Sequence, residues 1–209
     1  MSKAMAAPIP MLKAKAQISR FISNALTKHL CLTKAPLVGA FFIACYNCDM
    51  SIQIRKIDLY DHQQRLDYIT MLCAYSEDPL GQGKPLEDDV LHQTAADLAT
   101  LPHAIAFVAY NQKTPVGFAT CFAGYSTFRA KPLWNIHDIA VISSNRRQGI
   151  ATQLLKTISD YAQAEGCCKI TLEVREDNPH ADKLYRQFGF QAVQQNGEEI
   201  PYRFLALEL

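Results

Sequence analysis

The chain has 209 residues, 49% of them hydrophobic and 20% charged, which is an ordinary make-up for one well-buried globular domain plus an appendage. Its net charge of +1 hides an asymmetry: residues 1–49 carry six lysines and arginines against one acid, Asp49, while residues 50–209 carry 15 against 19 acids. Basic charge confined to a leader excludes nucleic acid as the main partner of the remainder. Seven cysteines, odd in number and irregular in spacing, give no disulfide framework, so reduced thiols in a cytoplasmic setting are expected.

The leader reads differently from all that follows. Ala35–Tyr46 is apolar but only about a dozen residues long, too short to cross a bilayer as a helix. The basic, acid-poor start has the look of a targeting segment, yet its apolar run comes too late for a secretory signal. Phe42-Ile43-Ala44-Cys45 faintly matches a lipoprotein cleavage site, again in the wrong place. The favoured expectation is a natural start at Met50, because the strand-like Ser51–Ile57 follows it; membrane association is the second reading. The expected organisation is therefore a basic leader at 1–49, an upstream-start extension or targeting-like segment, and a folded domain at 50–209. Cys45-x-x-Cys48 has no second pair of ligands, so no metal is expected.

From residue 51 the elements alternate. A strand at 51–57 is followed by Asp58 as the cap of a helix reading to Tyr75, with Leu59, Leu66, Ile69 and Leu72 on its apolar side. The glycines and prolines between Glu77 and Pro85 break that helix, and a second runs from Leu86 to Thr100, ended by Pro102. Strands at 103–110 and 115–124 flank the turn Asn111–Thr114 as a hairpin. A strand at 133–142 leads through Asn145–Ala151 into a helix starting near Gly149. Ile150, Leu154, Leu155, Ile158, Tyr161 and Ala162 recur there at helical spacing until Gly166. A strand at 169–174, a helix at 178–187, and short strands at 189–195 and 201–208 around Asn196-Gly197 complete the chain. The order βααβββαβαββ predicts a mixed sheet with helices on its faces.

Two segments carry chemistry. The first, Arg146-Arg147-Gln148-Gly149-Ile150-Ala151, is a basic, glycine-containing turn between a buried strand and a helix N-terminus. Free N–H groups and the helix dipole make such a turn an anion site, and it fits any nucleotide phosphate. The second is Leu172-Glu173-Val174-Arg175-Glu176-Asp177-Asn178, continuing through Ala181, Leu184-Tyr185 and Phe188-Gly189-Phe190. Together, in this order, they resemble the GNAT N-acetyltransferase superfamily over residues 51–209. Arg146–Ala151 looks like that family's Q/R-x-x-G-x-G/A pyrophosphate loop, and the second segment resembles its strand–Asn–Ala–Leu-Tyr–Gly-Phe stretch.

The resemblance implies an α/β (α+β) fold: a mixed, mostly antiparallel sheet with a central parallel pair splayed apart and helices on both faces. It implies acetyl-CoA as co-substrate and direct acetyl transfer to a primary amine, with a small molecule as favoured acceptor. A protein or peptide amine is the alternative, and a non-catalytic acyl-CoA-binding sensor the rival class. Arg146, Arg147, Gln148, Gly149, Ile150 and Ala151 would hold the pyrophosphate, Ile139 and Val141 would offer backbone groups to the pantetheine arm and acetyl carbonyl, and Asn178 would bond the arm. Tyr185 matches the family's general acid. Two residues stand in register with bases assigned in relatives: Glu173 with a glutamate of ribosomal-protein alanine acetyltransferases, and His137 with a histidine of serotonin-type acetyltransferases. Strand alternation puts His137 on the face of Ile139 and Val141, and Asp138 on the opposite one. Nine acids between Asp58 and Asp97, against Arg65 and Lys84, either rim an acceptor pocket or solvate two helices. Tyr125–Phe128 either line that pocket or cap a strand. No metal, nucleic-acid or membrane partner is expected, and a homodimer stays open.

Overall fold

The computed structural model describes residues 51–201 and 205–207; the leader at 1–49, with its apolar run and its cysteine pair, lies outside them. Five strands form one sheet in the order β1-β2-β3-β4-β5. They are β1 (Ile52–Lys56), β2 (Ala104–Asn111), β3 (Thr114–Ser126), β4 (Lys131–Val141) and β5 (Ile170–Leu172). All neighbours are antiparallel except β4 and β5. The central strands are buried on both faces, which is why Ala104–Tyr110 is a continuous apolar run and shows no alternation. Helices α1 (His62–Glu77) and α2 (Asp88–Thr100) cover one face around Tyr68, Met71, Leu91, Val108 and Phe118. Helices α3 (Ile150–Ala164) and α4 (Pro179–Phe188) cover the other around Phe107, Trp134, Ile136, Leu154 and Ile158. Among the described residues, no helix is long and apolar enough to cross a membrane.

The element order agrees with the sequence reading, and the departures have physical causes. Helix α1 begins after Asp61, whose side chain accepts the Gln64 N–H at 2.9 Å; Asp58 instead bends the chain by accepting the Tyr60 N–H at 2.9 Å. Its buried face is Tyr68, Met71, Leu72 and Ser76, leaving Leu66 and Ile69 half-buried. Strand β5 is three residues long, shorter than the expected 169–174, because it pairs only with Trp134–Ile136. Near the C-terminus, Asn196 and Gly197 take positive φ of 55° and 86°, and close a separate two-residue ladder of β6 (Gln194–Gln195) and β7 (Glu198–Glu199). The expected strand at 201–208 falls partly on residues 202–204 and 208, outside the described ones.

One irregularity matters for the site. Strand β3 pairs Thr120 with Asp138 but Cys121 with Ile136, so His137 is an extra residue in a β-bulge. The bulge shifts the alternation by one. Trp134, Ile136, Ile139 and Val141 all pack toward α3, and Ala140 packs toward α1. His137 lies on the other face from the one strict alternation predicts. Its ring lies 5.5 Å from Phe122, which belongs to the α1–α2 face, so His137 does not share the face of Ile139 and Val141.

Candidate active site

Strand β5 ends at Leu172, whereas β4, its partner over Trp134–Ile136, runs on to Val141. The strands therefore part. Beyond β4, Ile142 donates its N–H to the Val116 carbonyl at 3.0 Å, and by the alternation of an antiparallel pair Ala140 and Asp138 also face β3. The N–H groups of Ile139 and Val141 point the other way, into the parted edge. Without the bulge at His137 they would face β3.

A single turn of 3-10 helix, Ser143–Asn145, joins β4 to the basic loop. Arg147 and Gly149 both adopt left-handed backbone, with φ of 61° and 76°, a pattern that aims neighbouring N–H groups into one concavity. A Cβ at Gly149 would meet nothing within 4 Å, so glycine is favoured there by its backbone angle and not by crowding. Helix α3 starts with no side-chain cap, leaving the first-turn N–H groups of Ile150 and Ala151 available to an anion. The Ile150 side chain is buried in the core, so only its main chain faces the loop. Arg147 and Gln148 are exposed. Arg146 is held: its Nε donates to the Val141 carbonyl at 2.9 Å, and its Nη2 to the Asp78 carboxylate.

Asp78, not singled out by the sequence, closes a cavity of about 620 Å³. Its walls are the end of α1 (Met71, Ala74, Tyr75, Glu77), the loop Asp78–Leu80, Ala140–Ser143 and Arg146, with Phe118 from β3. The loop is pinned by Ser76, whose hydroxyl donates to Cys73 O at 2.7 Å and accepts from Leu86 N at 3.2 Å. Burial pushes the Asp78 carboxyl up, but the Leu80 N–H and the Arg146 guanidinium together hold it below the usual carboxylate range. Of the nine acids in this region, only Glu77 and Asp78 line the cavity. Several of the rest serve locally: Asp61 caps α1, and Asp67 accepts the Tyr110 hydroxyl at 2.9 Å. Tyr125 and Phe128 do not line the cavity, and Phe128 is wholly exposed.

The three catalytic candidates fall in two groups. Glu173, just past β5, is exposed, and its carboxylate accepts from Asn135 Nδ2 at 3.3 Å through both oxygens. Asn135 pairs with Phe122 across the sheet, and His137 packs on that same Phe122 ring, so Glu173 and His137 share a neighbourhood. Tyr185 sits apart on α4, buried against Phe190 at 5.9 Å on the α3 face. Burial, and secondarily Tyr75, push its phenol up to about 12. Among the described residues its hydroxyl has no hydrogen-bond partner. Asn178 caps α4, its Oδ1 accepting the Ala181 N–H at 3.2 Å, which leaves its amide N–H groups for other partners.

One buried chain of polar groups was not foreseen. Tyr68, from α1, bonds Thr120 through their hydroxyls at 2.9 Å, and Asp138 pairs with Thr120 across the β3–β4 ladder. Desolvation is the largest influence on Asp138 and raises its carboxyl, against the lowering effects of His137 and Thr120. A raised carboxyl favours the fold at low pH, and that contribution is lost as pH rises through its folded value. Asp138→Asn, which keeps the size and shape of the side chain, should therefore raise the urea midpoint at pH 7 relative to the parent chain, and the gain should shrink toward pH 3. A gain that grows on acidification would contradict this.

The acetyltransferase (GNAT) family model matches residues 68–190. The thialysine N-epsilon-acetyltransferase of Mus musculus is 30% identical over 89 residues, covering 43% of this chain and 52% of that protein, so the chain spans about half the length of this relative. The aminoglycoside N(6')-acetyltransferase type 1 of Salmonella typhimurium is 21% identical over 110 residues, 51% of this chain and 76% of that protein. In fold, an aminoglycoside acetyltransferase from an uncultured soil metagenomic sample, in complex with sisomicin, matches with a TM-score of 0.60 at 20% identity, covering 75% of this chain and 97% of that one. An aminoglycoside N-acetyltransferase in complex with CoA matches with a TM-score of 0.58 at 20% identity, over 74% of this chain and 95% of that one. With over half its length inside the family model and the parted β4–β5 edge beside an uncapped helix N-terminus, the chain belongs to the acetyltransferase (GNAT) family.

Proposed function

We propose that the protein transfers an acetyl group from acetyl-CoA directly to a primary amine of a small molecule. The observation that carries this reading is the uncapped start of α3, reached through left-handed Arg147 and Gly149 and flanked by the open β4 edge. An anion with an extended arm fits that pair of features: phosphate at the loop, arm along the edge. Acetyl-CoA supplies the activated acetyl thioester. In this reading Arg146, Arg147, Gln148 and the N–H groups from Gly149 to Ala151 hold the pyrophosphate, and the Asn178 amide bonds the pantetheine arm. The N–H groups of Ile139 and Val141 stabilise negative charge developing on the acetyl oxygen.

The chain must also move two protons. The amine has to lose one before it attacks, and the departing thiolate has to gain one; the second proton that the nitrogen sheds from the tetrahedral intermediate restores the donor. Tyr185 donates the second, since its buried phenol keeps its proton throughout the neutral range. Glu173 accepts the first through a water; the Asn135 amide holds its carboxylate in place. His137, packed on Phe122 beside Asn135, is the alternative acceptor. A small amine is favoured because the cavity beside the loop is modest, is lined by Tyr75 and Phe118, and carries two carboxylates. The relatives named for thialysine and for aminoglycosides support the same class.

Calorimetric titration of acetyl-CoA into the full chain tests the cofactor half of this reading. Binding in the range of roughly 1 μM to 1 mM, the usual span for enzyme substrates, is the expected result. Absence of any binding heat across several temperatures would overturn it.

A further inference from the structure

Arg146 is the first residue of the loop assigned above to the cofactor's pyrophosphate, yet its guanidinium already has an anionic partner. Asp78 reaches it from the loop after α1, 68 residues away in sequence, and Asp78 is only 16% exposed. The Arg146 Nε also donates to Val141 O, a main-chain carbonyl on the last residue of β4. Both side chains line the same cavity. Two anions on one guanidinium repel each other, so whatever Asp78 gains from Arg146 is lost to a phosphate that arrives there.

We propose that Asp78 is exchanged between the two substrates: it holds Arg146 in place of a pyrophosphate and, once pyrophosphate takes Arg146, presents its charge to the cation of the acceptor amine. The inference rests on the acetyl-CoA reading and extends it. Among the described residues Arg146 is the only cationic side chain lining the cavity, and Glu77 and Asp78 are its acids. Neutralising Arg146 with phosphate therefore leaves two uncompensated carboxylates on the wall. The reacting nitrogen must be neutral to attack, so that charge recognises a second, permanently protonated nitrogen. The favoured acceptor is accordingly a diamine or an amino compound with a further cationic group. Coenzyme A and such a cation then bind with positive coupling, and by linkage each tightens the other equally.

Asp78→Asn is the informative variant. Asparagine retains an oxygen for the Leu80 N–H, which Asp78 Oδ1 accepts at 2.9 Å, so the loop turn survives while the charge is lost. Calorimetry of coenzyme A into parent and variant, with and without cadaverine as the cationic probe, reads both halves of the exchange. The variant should bind coenzyme A roughly 3- to 10-fold tighter than the parent, the range for releasing a partly buried ion pair. Cadaverine should tighten coenzyme A binding to the parent and have no effect on the variant. Coenzyme A binding no tighter in the variant, or a cadaverine effect of equal size in both proteins, none included, overturns the exchange. Asp78→Ala, which loses the turn as well as the charge, separates loop disruption from release of Arg146: disruption alone weakens coenzyme A binding. Failure of the parent to bind coenzyme A at all would instead remove the acetyl-CoA reading beneath it.

Discussion

Tyr185→Phe should lower kcat by roughly 10²- to 10⁴-fold while leaving the affinity for coenzyme A within about 2-fold. The substitution removes one oxygen and keeps the ring that packs against Phe190 and the α3 face, so folding is preserved. What disappears is a proton donor needed only when the thiolate leaves, which is why the effect falls on turnover and not on binding. Burial first, and Tyr75 second, push the phenol up to about 12. The group therefore stays protonated across the whole accessible range, and loss of rate from its ionisation belongs near pH 12. An alkaline fall in kcat at lower pH must come from another group and should survive in Tyr185→Phe. Unchanged kcat, under conditions where chemistry limits the rate, would remove Tyr185 from the acid role.

The second large effect concerns the base. Glu173→Gln should reduce kcat/KM by roughly 10²-fold, and His137→Gln by less than about 10-fold. The asymmetry comes from how each side chain is held. Both Glu173 oxygens lie 3.3 Å from Asn135 Nδ2, an amide of β4 itself that also donates to Thr171 Oγ1 at 3.2 Å, whereas His137 rests edge-on against Phe122 at the bulge. Asn135→Ala should follow Glu173→Gln part of the way, because it loosens the carboxylate without removing it. A larger loss in His137→Gln than in Glu173→Gln would reverse the assignment.

The elements themselves were legible because most of their signals are local. Apolar residues at helical spacing from Ile150 to Ala162, Gly166 after the last turn and Asn178-Pro179 before α4 are facts about neighbours in sequence. The bulge at His137 was also written there, in apolar residues at 134, 136, 139 and 141. A single interval of three among intervals of two is what one extra residue in a strand produces. Reading that run as strict alternation placed His137 on the wrong face. Other features have no local trace. Asp78 meets Arg146 across 68 residues and Tyr68 meets Thr120 across 52, and both contacts follow from how α1 crosses the sheet. Nor did charge density distinguish Asp78 from its eight acidic neighbours; position beside the loop did. At Gly149 the backbone is left-handed, with φ of 76° and nothing within 4 Å of a Cβ, and that conformation also has no trace in the spacing of the loop's residues.

The most direct test of the proposed acetyltransferase activity is release of free thiol from acetyl-CoA by the full chain across a panel of amines, including monoamines, diamines, lysine analogues, aminoglycosides and a peptide N-terminus. The structure's parted edge, uncapped helix and carboxylate-lined cavity predict amine-dependent release, strongest with a small molecule carrying a second cationic group, and its collapse in Tyr185→Phe. Acetyl-CoA that binds but is never consumed with any amine would contradict the enzyme and leave an acyl-CoA-binding sensor in its place.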